Sequence, residues 1–484
     1  MTGRTEVSVV WFRDDLRTAD HPALRAALDA GRTLALYVLD DQSPGVRPLG
    51  GAARWWLHHA LAELRDGLAE LNVPLVIRRG PAASVVPDVA AVAGAGSVFW
   101  NRRYGGPERR ADQAVKALLT AAGRTAKSFQ ASLLHEPWRI TTQQGNPYRV
   151  FTPFWKTLSS QDFRPPLPVP EPQDTHGLSV PEGLELESLG LLPSRPDWSA
   201  PLREAWAPGE QAGQELLADF LDEKLGDYRD ARERPGVEGS SRLSPYLRWG
   251  HVSPFQVWAG LTSLRRKAPE ASAAFAGELG WREFAWHQLY HHPRLATVNL
   301  RPEFDRHPWW LPGENARGGD DDGDGTGSPD MAALLHAWQR GRTGIPLVDA
   351  GQRQLWNTGW MHNRVRMVSA SFLVKNLGIH WRLGEQWFWD TLVDADAAAN
   401  PFNWQWAAGS GADAAPFFRI FNPQTQARTH DPDGAYLAEW IPELNTPEYP
   451  LPCVDLADSR KGALDRLKVM SEAGAQPAHA AGRS

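Results

Sequence analysis

The sequence predicts a chain in two parts: an N-terminal α/β domain with a doubly wound parallel sheet, and a large all-α domain. Three observations lead to this fold class. Short apolar runs alternate with amphipathic stretches over the first 130 residues, an irregular proline-rich segment follows, and apolar positions at helical spacing dominate afterwards. We expect an α/β domain at residues 1–135, an interdomain linker at 136–208, a helical domain at 209–474 and a flexible tail at 475–484.

The expected strands of the first part are short apolar runs bounded by turn residues. They cover residues 7–12, 34–39, 74–77, 97–100 and 126–129. Amphipathic stretches such as residues 53–71 separate them, as in sheets whose parallel strands are joined by crossover helices. In the second part, apolar residues repeat at one-face helical spacing over 216–225, 331–338 and 365–377, which predicts helices there.

Composition limits the class of protein. The 484 residues are 42% hydrophobic, which is enough for large cores, and the net charge of −6 neither requires nor excludes a nucleic-acid partner. Cys453 is the single cysteine, so an intramolecular disulfide or a cysteine-rich metal site is excluded. The chain lacks both a long apolar run and a signal-peptide pattern. We therefore expect a monomeric, cytoplasmic protein with no membrane partner.

The 23 tryptophans are concentrated toward the C-terminal half, around residues 360–367 and 404–416. A folding core rarely needs so many indoles, because each buried N–H must find a partner. Flat, oxidisable rings are suited to stacking on bases or to passing electrons. The pattern favours light-driven or redox chemistry on a planar substrate.

Several other motifs are incomplete. Gly94-Ala-Gly96 leads into a strand and not into a helix, so a dinucleotide fingerprint is not indicated. The run Asp320-x-Asp322-x-Asp324-Gly325 begins like a calcium loop, but Met331 stands where a bidentate glutamate is needed. The histidines lack carboxylate or thiolate partners at ligand spacing, so no metal site is expected.

A polar constellation remains in the helical part. On a helix, Glu278 lies one turn from Trp281 and Arg282. A second helix is expected to present three side chains on one face: Trp360, Asn363 and Met367. Two such helices would bring a carboxylate, an amide, indoles and a thioether to one cavity.

Two further clusters have an ordinary alternative each. Asp394-Ala-Asp396 followed by Asn400 places two acids near an amide, with Arg364 and Arg366 as charge partners, but such acids also serve as helix caps or ion pairs. The hydroxyl-rich run at 239–246 precedes a helical pattern, as anion-binding helix starts do, or is a simple serine cap. Residue chemistry alone leaves both alternatives open.

Long motifs in a fixed order extend over roughly 200 residues. They are Gly239-Ser-Ser-Arg-Leu-Ser-Pro245, Glu278-Leu-Gly-Trp-Arg-Glu-Phe284, Gly341-Arg-Thr-Gly-Ile-Pro-Leu-Val-Asp349, Gly359-Trp-Met-His-Asn-Arg-Val-Arg-Met367, Asp394-Ala-Asp-Ala-Ala-Ala-Asn400, and Trp404-Gln-Trp406 followed by Phe418-Arg-Ile-Phe-Asn-Pro423. Together with Trp11-Phe-Arg-Asp-Asp-Leu-Arg17, they resemble the photolyase and cryptochrome family of flavoproteins. The resemblance is closest to class I cyclobutane pyrimidine dimer photolyases.

The resemblance implies a U-shaped FAD in the helical domain. It assigns to the cofactor Tyr228, Ser240, Ser241, Arg242, Leu243, Ser244, Phe275, Arg282, Asn363, Arg366, Asp394, Ala395, Asp396 and Asn400. Arg366 is expected to pair with Asp394 beside the flavin ring, and Asn400 to face flavin N5. A neutral amide at that position favours repair over signalling, since a carboxylate would change the protonation of the flavin.

The resemblance also implies a substrate, ultraviolet-damaged DNA, and a mechanism, in which light drives an electron from reduced FAD to the flipped lesion. The catalytic set it indicates is Glu278, Trp281, Asn363, Met367 and Trp406. These five residues are also expected to contact the DNA, together with Arg232, Arg282, Arg364 and Gln426. Met367 favours cyclobutane dimers, because enzymes for (6-4) photoproducts use a histidine-centred site.

Some features stay undecided at this level. The family's tryptophan chain matches Trp404, Trp381 and Trp310, although Trp309 leaves its end open. A second, antenna chromophore, methenyltetrahydrofolate or a deazaflavin, is compatible with the α/β domain, but residues 101–108 do not identify it. The Gly- and Asp-rich insertion near 313–330 has no assigned role. The alternative function is a cryptochrome-like blue-light photoreceptor.

Overall fold

The computed structural model describes residues 6–313, 330–413 and 419–475. Most of the Gly- and Asp-rich insertion with its calcium-like motif lies outside these residues, as do Phe418 and the predicted tail beyond residue 475. Within the described ranges, no helix combines the length and the apolar character that crossing a membrane requires. The same ranges contain no group of three or more His, Cys, Asp or Glu side chains arranged to hold a metal ion.

The chain divides into two compact units, each made of separate segments. The first unit comprises Met1–Arg229, Ser240–Pro293 and Asp390–Ala398, and the second comprises Asp230–Gly239, Arg294–Trp389 and Ala399–Ser484. These units are defined by contacts and not by sequence order. The division of the chain into domains near residues 135 and 208 stays a prediction.

A five-stranded parallel sheet organises the N-terminal part of the first unit. Its strands are β1 (Val7–Phe12), β2 (Arg32–Leu39), β3 (Leu75–Arg79), β4 (Ser97–Asn101) and β5 (Thr125–Phe129). They lie in the order β3-β2-β1-β4-β5, and each neighbouring pair is parallel. The predicted doubly wound sheet is confirmed, with strand ends shifted by one or two residues.

Crossover helices join the strands: α1 (Pro22–Ala30), α2 (Gly51–Glu70), α3 (Ala82–Val92) and α4 (Gly106–Ala121). β1 is almost fully buried because helices cover both faces of a parallel sheet. Val9, Trp11 and Leu36 pack in a core with Val86 of α3 and Val115 of α4. The apolar runs that predicted the strands are therefore the residues that hold this sheet to its helices.

Beyond the sheet, the first unit contains helices and a largely irregular stretch at residues 159–199. Its helices are α5 (Phe151–Leu158), α6 (Ala200–Ala205), α7 (Glu210–Asp219), the first half of α8 (Tyr228–Ala231), α9 (Ser244–Arg248), α10 (Pro254–Leu264) and α11 (Pro269–His291). The predicted helix over 216–225 is divided, because α7 passes into a π-helical segment at Phe220–Lys224. Ser253 and Gln256 form a capping box that starts α10.

The second unit is also built of helices. In the described residues they are α12 (Met331–Gln339), α13 (Pro346–Thr358), α14 (Asn363–Ser371), most of α15 (Trp381–Thr391), α16 (Ala399–Ala408), α17 (Pro423–His430), α18 (Ala435–Trp440) and α19 (Leu456–Ala475). α14 continues as a π-helical segment at Phe372–Asn376 and packs against both α13 and α16. This packing places the motif that ends at Met367 and the motif Trp404-Gln-Trp406 on adjacent helices.

One local prediction is wrong. Trp360 does not share a helical face with Asn363 and Met367, because α13 ends at Gly359, whose φ of +64° favours glycine. α14 begins only at Asn363, with His362 as its N-cap. The His362 Nδ1 atom accepts a hydrogen bond from the Arg364 N–H at 3.3 Å. Only Asn363 and Met367 therefore follow the predicted one-turn spacing.

Candidate functional site

In the first unit, helix α11 carries Glu278 and Trp281 one turn apart, as predicted. Both side chains are partly exposed, although most of the helix is buried. The indole of Trp281 stacks on the ring of Phe151, with centroids 3.7 Å apart and planes 9° from parallel. Phe151 was not predicted, because it begins α5 within the stretch that the sequence indicated as an irregular linker, and nothing there signals this contact. The stack fixes the plane of one indole of the expected substrate pocket.

Arg282 and Glu283 follow on the same helix and point to internal partners. Arg282 donates to the backbone carbonyl of Ser132 at 2.9 Å and pairs with Glu283 at 3.4 Å. Glu283 accepts a hydrogen bond from the Leu134 N–H at 3.0 Å, yet its burial raises its pKa to about 7. The sequence did not indicate Glu283 as a site residue, since the backbone N–H of Leu134 that it binds lies 149 residues away. The roles of Arg282 toward FAD and DNA stay predictions.

Two residues of the first unit that are predicted to bind FAD, Tyr228 and Arg242, contact aromatic rings. Tyr228 packs against Phe220 and Phe275, with ring centroids 5.4 and 5.1 Å away. Arg242 adopts a left-handed backbone conformation, with φ of 51°, and its guanidinium lies 4.3 Å from the ring centre of Trp206. A non-glycine residue at positive φ is strained, and such strain is common at ligand-binding loops.

Helix α9 holds the acidic segment at 390–398. Arg248 donates to the Ala395 carbonyl at 2.8 Å, and the Trp249 indole donates to the Val393 carbonyl at 3.0 Å. Asp394 and Asp396 are buried, and Asp396 accepts a hydrogen bond from the Ala398 N–H at 2.8 Å. This bond is a local turn contact before α16, which begins at Ala399, so the choice between a cap and a cofactor contact stays a prediction. Whether Asp394 pairs with Arg366 stays a prediction.

In the second unit, Asn400 is buried at the start of α16. Its Nδ2 atom donates to the backbone carbonyl and to the carboxylate of Glu385, at 3.0 and 2.8 Å. Its Oδ1 atom accepts no hydrogen bond from the described residues. A buried amide held in this orientation presents an acceptor, which fits an N–H group at the edge of a flavin. Glu385 was not predicted, because the pattern at 394–400 does not include it.

The three predicted electron-transfer tryptophans also lie in the second unit. Trp404 on α16 contacts Trp338 and Phe388 edge to face, with centroids 6.0 and 5.0 Å apart. Trp381 is fully buried, and its indole donates to Asn299 Oδ1 at 2.9 Å. Trp310 is partly exposed, whereas Trp309 is 6% exposed. Exposure favours Trp310 over Trp309 as the surface end of a chain.

Gly384 lets α15 approach the Trp404 ring. A Cβ atom at this glycine would overlap the six-membered ring of Trp404 and lie 2.7 Å from Leu373 Cδ2. We expect Gly384→Ala to lower the free energy of unfolding by about 1–3 kcal/mol, because overpacking forces side chains to move. Denaturant titration measures this loss. Gly277→Ala on α11 is the control, since its Cβ meets nothing within 4 Å and alanine favours a helix; equal stability of both variants would contradict the expectation.

The remaining site residues are on the accessible parts of the second unit. Asn363 is exposed, and Met367 and Trp406 are partly exposed, on the adjacent helices α14 and α16. Arg364 pairs with Glu233, donating from Nε at 2.9 Å. Gln426 lies on α17. Packing thus brings Asn363, Met367 and Trp406 onto neighbouring elements of one unit, while Glu278 and Trp281 belong to the other unit.

Comparisons with known proteins agree with this architecture. Residues 8–173 match the family described as DNA photolyase, and residues 275–469 match the FAD binding domain of DNA photolyase. A deoxyribodipyrimidine photo-lyase of Agrobacterium fabrum is 42% identical over 96% of this chain and 98% of its own length. Cryptochrome-1 of Arabidopsis thaliana is 33% identical over 96% of this chain and 70% of its length. A crystal structure of a bacterial class III photolyase from Agrobacterium tumefaciens superposes with a TM-score of 0.88 at 40% identity, covering 97% of this chain and 98% of that one.

The fold and the site define a flavoprotein with a parallel-sheet N-terminal part and a helical FAD-binding part. The chain belongs to the DNA photolyase and cryptochrome family. The expected similarity to class I enzymes is corrected by the solved relative, which is a class III photolyase. The motifs that suggested class I cover only part of the chain, whereas the comparison with the class III photolyase covers 97% of it.

Proposed function

We propose that this chain is a deoxyribodipyrimidine photo-lyase, a carbon–carbon lyase that repairs cyclobutane pyrimidine dimers in DNA under light. The observation that carries the proposal is the 42% identity, over nearly the whole chain, to a protein of that name. The amide at Asn400 and the thioether at Met367 agree with it, because they are the residues expected for dimer repair and not for signalling or (6-4) chemistry.

The residues that the family resemblance assigns to FAD are proposed to hold it. Tyr228 and the 240–244 segment are proposed to contact its phosphates, and Phe275 is proposed to pack against the flavin ring. Arg366, Asp394 and Asp396 are proposed to contact the polar edge of that ring. When bound and reduced, FAD supplies the photoexcited electron that opens the cyclobutane ring. The protein's part is to orient the ring. Asn400, held by Glu385, would accept a hydrogen bond from the flavin edge without adding a charge.

The lesion is proposed to leave the duplex before repair. Photolyases flip their substrate out of the stack, and a damaged pair is cheaper to extrude than an intact one. Trp281 stacks on Phe151. Its indole and that of Trp406 are proposed to pack on the extruded bases, and Asn363 and Met367 are proposed to contact the edges of these bases. Glu278, partly exposed on α11, is proposed to donate a hydrogen bond to a pyrimidine carbonyl oxygen and so to stabilise the negative charge that develops there.

The DNA backbone is proposed to contact Arg232, Arg282, Arg364 and Gln426. Arginines neutralise phosphates and release counterions, so binding is expected to weaken as salt rises. Trp404, Trp381 and Trp310 are proposed to pass electrons from the surface to resting flavin. A monomeric state and a cytoplasmic location complete the proposal, while the presence and identity of an antenna chromophore are left unassigned; the lone cysteine fits a reducing compartment that also holds DNA.

A light-dependent repair assay tests this function. Reduced, FAD-loaded protein is mixed with ultraviolet-irradiated DNA, and thymine recovery is measured after blue light and in the dark. We expect recovery only in the light. If FAD is bound and reduced but no thymine returns, the cryptochrome-like photoreceptor becomes the better assignment, and the 33% identity to Cryptochrome-1 is the observation that favours it.

A further inference from the structure

One carboxylate in the second unit lies among three basic side chains. Glu233 Oε2 accepts two hydrogen bonds from Arg364, from Nε at 2.9 Å and from a terminal guanidinium nitrogen. Its Oε1 atom lies 3.6 Å from Arg232 Nε, and His430 Nδ1 lies 3.9 Å from Oε2. Glu233 therefore makes, with one carboxylate, the contacts that a phosphate group makes with a pair of arginines.

The cluster is accessible to a ligand. The side chains of Glu233, Arg364 and Arg232 are 36%, 22% and 19% exposed, so a bulky anion can reach them from solvent. Two guanidinium groups face this one carboxylate. Burial by itself would raise the pKa of Glu233, but the hydrogen bonds and the charge of Arg364 outweigh it and lower this pKa, which keeps the carboxylate ionised near neutral pH.

We propose that Glu233 occupies the position of a DNA backbone phosphate in the DNA-free protein and is displaced from Arg364 when DNA binds. This inference rests on the proposed function, which assigns Arg232 and Arg364 to the DNA backbone. The carboxylate keeps the two guanidinium groups oriented, and it also competes with the incoming phosphate. It thereby limits affinity for undamaged DNA, which offers the protein phosphates but no extruded lesion.

The competition predicts the effect of removing one charge. Glu233→Gln keeps an acceptor of similar shape but removes the negative charge beside both arginines. An incoming phosphate then no longer meets the negative charge of Glu233, so we expect undamaged duplex to bind about tenfold more tightly at low salt. The slope of log affinity against log salt is expected to steepen by about one, as for one further neutralised phosphate.

Two variants separate charge from geometry. Asp433→Asn removes the same charge from an exposed ion pair, 2.8 Å long, with Arg234, the residue that follows Glu233. It is expected to change the affinity for undamaged duplex by less than about twofold. Glu233→Asp keeps the charge and is expected to bind undamaged duplex like the unaltered protein. If Glu233→Asp also binds about tenfold more tightly, loss of side-chain reach and not of charge is responsible, and the proposal fails.

The experiment is an equilibrium titration of FAD-loaded protein with a fluorescent duplex, undamaged or carrying one thymine dimer, over a series of salt concentrations. Unchanged or weaker binding of undamaged duplex by Glu233→Gln, with an unchanged salt slope, would overturn the inference and make Glu233 a structural clamp for Arg364. Failure of the proposed function gives a different result: the unaltered protein would then show no preference for the duplex with the dimer.

Discussion

Replacement of Glu278 by alanine is expected to lower light-driven dimer repair about a hundredfold while FAD binding persists. The side chain is partly exposed on α11, one turn before the stacked Trp281. In the proposed reaction, negative charge develops on a pyrimidine carbonyl, and loss of one hydrogen bond to such a charge typically costs two to three orders of magnitude in rate. Single-turnover repair after a light pulse measures the effect.

Glu270→Ala is the matched control for this variant. Glu270 lies on the same helix, but its carboxylate is 78% exposed and pairs with Arg229 at the surface. Surface pairs of this kind contribute little, so repair and stability are expected to stay near those of the unaltered protein. The role proposed for Glu278 would be wrong if both alanine variants repaired the dimer at the unaltered rate.

The second large effect concerns stability in acid. Burial lowers the pKa of four histidines to about 4, and of one to about 3: His251, His307, His362 and His380, and His287 respectively. An unfolded histidine titrates near 6.5, so between about pH 6.5 and 4 the unfolded chain binds protons that the folded chain does not. The free energy of unfolding is therefore expected to fall by several kcal/mol as the pH drops through this range.

His251 shows why the neutral form is required. Its Nε2 atom accepts a hydrogen bond from the Trp56 indole at 3.1 Å, so it cannot carry a proton without breaking that bond. Its Nδ1 atom donates to the Leu16 carbonyl at 2.8 Å. This single group is expected to contribute about 3 kcal/mol of stability above pH 6.5 that is lost by about pH 4.

Denaturant titrations over this pH range measure the loss. His251→Gln removes one buried titrating group and is expected to flatten the pH dependence, whereas His176→Gln removes an exposed histidine and is expected to leave it unchanged. A constant free energy of unfolding from pH 7 to 4.5, or an unchanged slope in His251→Gln, would show that these histidines protonate without cost.

The fold was predictable where local pattern decides structure. β1 and β2 are buried on both faces, so their apolar runs are continuous and their strand character is unambiguous. Helix periodicity also placed Glu278 and Trp281 one turn apart. It failed at Trp360, because the glycine that ends α13 outweighs the regular spacing of the polar residues that follow it.

The site was less predictable where distant partners decide side-chain positions. Phe151 and Trp281 are separated by 130 residues, and no periodicity connects them. Glu385 holds Asn400 from another helix, and Glu233 holds Arg364 from a segment 131 residues earlier. Such contacts result from tertiary packing, so a single sequence identifies the residue types of the site but not the groups that orient them.

The most direct test of dimer repair uses oligonucleotides that each carry one defined lesion. FAD-loaded, reduced protein is illuminated with a strand containing a single cyclobutane thymine dimer and, separately, with one containing a single (6-4) photoproduct. We expect intact thymines from the first strand in the light, none in the dark, and none from the second strand. Light-independent recovery, or recovery from the (6-4) strand alone, would contradict the proposed function.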